Sequence, residues 1–182
     1  MTHKGGPVDW QAMGDAMGLT TGCYSSRDAK RAVSILLGDA TLRAAVDWYV
    51  ERRPHAELAR MVLWQLKPAA ARARCMEIYR SDADVDDRRG AVELFRVVAT
   101  AESLPLIADF LADPDPAIQL WGIGVLDQML FNDELDDEND AEPYLRLAER
   151  HPNPAVQEKV AFIRGRAGAA ERAAVVERVF DE

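Results

Sequence analysis

The chain has 182 residues, 48% apolar and 29% charged, with a mean hydropathy of −0.22 and a formal net charge of −9. That length suffices for one well-buried domain, and the composition excludes a disordered chain and gives no apolar run near the roughly 18–20 residues of a membrane helix. The charge is uneven, with 11 basic and 6 acidic side chains over residues 27–80 against 5 and 18 over 81–150, which disfavours nucleic acid and favours a basic partner.

Residues 1–25 are glycine-rich and read as an N-terminal capping segment, with Trp10, Met13 and Met17 on one face of a short helix. Met1 to Pro7 has no apolar core, so no secretory signal is expected there. From Ser26, a candidate N-cap, Ala32, Val33, Leu36 and Leu37 form an apolar stripe that stops at Gly38. A helix from Asp39 turns Leu42, Ala45, Val46, Tyr49 and Val50 inward. Pro54 opens the next, with Leu58, Met61, Val62 and Leu66 in register, and Pro68 opens another carrying Cys75, Ile78 and Tyr79. Further helices are predicted over 85–99, 103–111, 114–131, 141–151, 154–165 and 169–180. Period-two alternation is absent and the turns are short, so the chain reads as all-α.

Two stretches repeat each other. Asp113-Pro114-Asp115-Pro116-Ala117-Ile118-Gln119 returns 38 positions later as His151-Pro152-Asn153-Pro154-Ala155-Val156-Gln157. A capping residue before a first-turn proline is a helix start, and its return at this period marks stacked helical hairpins. With Gly122 and Leu126 following, the first stretch resembles the opening helix of a HEAT repeat; Val160 takes the small-residue place in the second, and Asp84 to Leu94 fits more loosely. The resemblance implies a right-handed α-solenoid of about five antiparallel helix pairs over 26–182. It implies little about function, because such arrays serve many purposes.

The segment Asn132 to Asp140 holds six carboxylates (Asp133, Glu134, Asp136, Asp137, Glu138 and Asp140) and no base, and it lengthens one hairpin beyond its neighbours. Long loops between short ones often carry function, and this one suits a basic partner surface. A solvated insertion is the plain alternative, and calcium is disfavoured because the EF-hand spacing with its central glycine is missing. Trp121 lies between the core and a partner site, since Gly122 and Gly124 beside it cost helix stability and need compensation. Gly122 suits close approach by a neighbouring helix; Gly124 suits core packing or room for a partner side chain.

Arg52, Arg53, Arg60, Arg72, Arg74 and Arg80 alternate with acids and read as solvated surface. They lack the catalytic set of the HEAT-like proteins that excise alkylated bases from DNA. Cys23 and Cys75 have no CxxC spacing, which fits two free thiols in a cytoplasmic protein; three scattered histidines make no zinc set. No Ser-His-Asp order, P-loop or Rossmann glycine pattern is present, and no His-Glu pair of the HEAT-like hydroxylases. The expectation is a non-enzymatic, cofactor-free and metal-free module, monomeric or in a heterocomplex, that binds a basic protein in the manner of a bacterial immunity protein. A DNA-repair protein and an accessory resembling HEAT-like bilin lyases are the rival readings.

Overall fold

A computed structural model describes residues 8–19 and 25–166, and every element among them is helical. In chain order these are α1 (Trp10–Met17), α2 (Ser26–Leu37), α3 (Asp39–Val50), α4 (Ala56–Leu66), α5 (Ala69–Arg80), α6 (Val85–Val98), α7 (Leu106–Leu111), α8 (Pro116–Phe131), α9 (Glu142–Glu149) and α10 (154–166). Short 3₁₀ turns, Ala101–Ser103 and Glu138–Ala141, lead into α7 and α9. None of the described helices is long and apolar enough to cross a membrane. The helix expected over 169–180 lies outside the described residues, as does Cys23.

α8 is apolar on nearly all sides, the mark of a helix enclosed by others. Ile118, Ile123, Val125 and Leu126 are fully buried, with α6 and α7 packed against it. Gly122 permits the closest approach: a Cβ there would lie 2.5 Å from the Phe110 Cβ of α7, as the sequence predicts for a crossing helix. Phe110 then meets Tyr79 and Phe95 edge to face, at 5.0 and 5.6 Å between centroids, which joins α5, α6 and α7 in one core. α6 also packs on α5 and α3, so α3, α6 and α8 follow one another through the molecule.

The repeated stretches build the same local geometry. Asp115 Oδ1 accepts from the Ala117 amide at 2.9 Å, as Asn153 Oδ1 does from Ala155 at 3.0 Å. Gln119 Nε2 donates to the Asp113 carbonyl at 2.7 Å, and Gln157 Nε2 to the His151 carbonyl at 2.7 Å. The Asp115 amide donates to Asp113 Oδ1, and the Asn153 amide to His151 Nδ1. The units also touch each other: Asn153 Nδ2 donates to Gln119 Oε1 at 2.8 Å, and His151 Nε2 lies 2.9 Å from the Leu111 carbonyl. The α8 helix therefore begins at Pro116, not Pro114, because Asp115 is its cap while Asp113 braces the turn and takes the Arg88 guanidinium.

At the N-terminal end the structure departs from the apolar pattern. The α2 cap is Ser25 in a capping box with Asp28, one residue before the expected Ser26. α1 is tied to α2 by Arg31 donating to the Met17 carbonyl; Met17 is buried, but Trp10 is exposed. No residue of α2 is buried, and its Val33, Leu36 and Leu37 face outward. On α4, Leu58, Met61 and Val62 are exposed while Leu63 is buried, so the inner face is a different one from that predicted. Apolar residues surround most of α4, and its contacts with α3 and α6 select Leu63 and the half-buried Trp64.

Candidate functional site

The acidic segment leaves the C-terminal end of α8 and is fixed in place. Asp133 adopts a left-handed conformation (φ 51°), and the Glu134 amide donates back to the Met129 carbonyl at 3.0 Å. Leu135 packs against the core, and Asp137 caps the 3₁₀ turn by accepting from the Asn139 amide. Glu134 forms an ion pair with Lys67, the left-handed residue between α4 and α5. The loop is solvent-exposed along most of its length and tied to the fold at Glu134 and Leu135.

The segment thus divides by role. Glu134 and Asp137 hold the loop, while Asp133, Asp136, Glu138 and Asp140 are exposed and have no cation partner among the described residues. Among those residues no group of acids, histidines or cysteines converges as a metal ion would require. Glu134 and Asp136 border a broad groove of about 760 Å³, which Arg27, Lys30 and Arg72 also line. The acidic loop therefore leans toward the basic half of its own chain. Arg72 sits deep there, donates to the Lys67 carbonyl at 2.6 Å, and burial lowers its pKa.

Trp121 is not part of that surface. Ten residues of α8 separate it from Phe131, about 15 Å along the axis at 1.5 Å per residue. Its ring carries the Arg96 guanidinium of α6 at 5.0 Å. A Cβ at Gly124 would lie 3.1 Å from Arg96 Cδ, so the side chain that Gly124 makes room for belongs to the chain itself.

Acids engage most of the arginines of 52–80: among the described residues Arg52 alone has no ion-pair partner, and Arg72 lies 3.9 Å from Glu102. Arg74 joins Asp47 and Glu77, Arg43 joins Glu77, Arg53 joins Glu51, Arg60 lies 3.5 Å from Glu57, and Arg80 lies 3.8 Å from Asp109. Held by Arg43 and Arg74, the Glu77 carboxyl falls to about pKa 2. Cys75 is fully buried on α5, and burial raises its thiol pKa.

Sequence reasoning missed a smaller groove of about 400 Å³ between α3, α4, α6 and α8, lined by Tyr49, Gly90, Glu93 and Trp121 among others. Its local signals are Trp121, already a candidate, and Gly90, a glycine in the interior of α6. Compared with protein-family models, with curated proteins and with solved structures, the chain matches none.

Proposed function

We propose that this chain is a non-catalytic, protein-binding module that captures a basic protein on the acidic loop 132–140. The observation that carries the reading is the division of labour in that loop. Glu134, Leu135 and Asp137 anchor it, and Asp133, Asp136, Glu138 and Asp140 present four carboxylates with no cation partner among the described residues. Fixed charges lose little entropy on docking, and a local negative field accelerates encounter with a basic surface.

The scaffold is, in this reading, a right-handed HEAT-like α-solenoid of about five helix pairs. The shared hydrogen bonds of Asp113–Gln119 and His151–Gln157, with direct contacts between the two units, support successive equivalent layers. A small acidic binder with a preformed docking loop suits an immunity-type role against a basic toxin domain such as a nuclease. Acids engage every arginine of 52–80 except Arg52 among the described residues, which weighs against the DNA-repair reading.

The test is comparative capture from the native host with two baits, the natural chain and a variant carrying Asp133→Asn, Asp136→Asn, Glu138→Gln and Asp140→Asn. A basic protein retained by the natural chain at low salt and lost by the variant is the expected result. Equal retention by both baits would remove the loop from the binding surface.

A further inference from the structure

Each glycine in a helix interior costs about 1 kcal/mol relative to alanine, so each needs a reason. Gly122 has Phe110 against it, and Gly124 has Arg96. Gly90 has no such neighbour: the nearest atom to a Cβ there would be the Val50 Cα at 3.8 Å, an ordinary contact. The fold has room for a Cβ at position 90. The bare backbone instead lines the groove of about 400 Å³.

The chemistry of that groove is specific. Tyr49 and Trp121 supply aromatic surface, and Val50 and Gly90 supply small apolar surface. Four charged side chains also line it. Arg89 is taken up by Asp115 and Asp86, and Glu57 by Arg60. Glu93 and Arg52 have no ion-pair partner among the described residues; Arg52 is exposed, whereas Glu93 is half-buried beside the Tyr49 hydroxyl. The unanswered charge within the groove is therefore the Glu93 carboxylate, with Arg52 toward solvent.

We propose that this groove binds a guanidinium group, the side chain of an arginine on a protein partner, through Glu93 and Trp121. A guanidinium fork matches a carboxylate with two parallel N–H···O bonds and stacks on an indole face, which an ammonium does less well. Trp121 already carries the Arg96 guanidinium at 5.0 Å, so a second guanidinium would share the ring with it, on the surface that lines the groove. The missing side chain at Gly90 leaves space for the aliphatic stem of the arginine. The partner as the source of that arginine rests on the reading above; the site itself is tested without a partner.

The probe is N-acetyl-arginine N-methylamide, titrated into the full chain at millimolar concentrations and followed by amide and indole NMR shifts. Saturable shifts at the Trp121 indole N–H and the Gly90 amide are expected, at least tenfold weaker for the neutral citrulline analogue. Glu93→Gln weakens binding at least tenfold, and Gly90→Leu, which fills the groove and leaves Glu93 in place, does the same with the melting midpoint preserved. Absence of saturable shifts at these two reporters, an equal response to citrulline, or undiminished binding in both variants overturns the proposal. The four-carboxylate loop variant keeps its probe binding, so a failure of the loop reading and a failure of this one give different results.

Discussion

Single atoms decide much of this core. At Gly122 a methyl group would sit 2.5 Å from the Phe110 Cβ, a clash between helix backbones that no flexible side chain relieves. Gly122→Ala should therefore destabilise the chain by about 1–3 kcal/mol in denaturant unfolding despite its better helix propensity. At Gly90 the same substitution meets only ordinary contact, and the melting midpoint should hold or rise. Ile118→Ala and Leu126→Ala each remove a fully buried side chain and should cost about 2–5 kcal/mol. An unchanged midpoint in either would show that α8 is not the enclosed helix. These positions were legible because the repeat marks them and α8 has almost no polar face. The cap of α8 was less so: two Asp-Pro steps stand in tandem, and it is the Ala117 and Ile118 amides donating to Asp115, with Asp113 taking the Asp115 amide and Arg88, that show which aspartate does which job.

Elements depend on contacts that one helix's pattern does not contain. α3 presents a single apolar stripe, and its inner face was read correctly. α4 is apolar on most sides, so periodicity left its inner face undecided and the packing of α3 and α6 chose it. Between α8 and α9 the loop separates holding residues from displayed ones. Glu134→Gln leaves the half-buried Lys67 without its counter-charge and should cost about 1–2 kcal/mol, while Asp136→Asn should stay within about 0.5 kcal/mol. Chemical unfolding of the two variants compares them directly. Exposed ion pairs link neighbouring helices as well: Glu77 joins α5 to α3 through Arg43, and Glu142 joins α9 to α10 through Arg164. Both carboxyls, held by their arginines, fall from the ordinary 4.5 to about pKa 2. Their contribution is complete above about pH 4.5 and is lost as pH falls toward 2. The melting midpoint should drop across that window, and by less in the Glu77→Gln/Glu142→Gln variant.

For the whole molecule, the charge imbalance between segments becomes a spatial relation. The acidic loop after α8 reaches back to the α4–α5 junction, so part of the negative excess is answered internally and part stays on display. The sequence located the acidic segment but not this division, because Lys67 and Glu134 stand 67 positions apart. It missed the second groove for the same reason: Tyr49, Glu93 and Trp121 come from three helices, so Trp121 and Gly90 could be noticed singly but not as one site. The claim on which the account turns is that a preformed negative surface captures a basic protein. Calorimetric titration of the captured partner, at low and high ionic strength, tests this most directly against the natural chain and the variant neutralised at Asp133, Asp136, Glu138 and Asp140. The account predicts at least tenfold weaker binding by the variant and a flatter salt dependence. Equal affinity with the same salt dependence would contradict it.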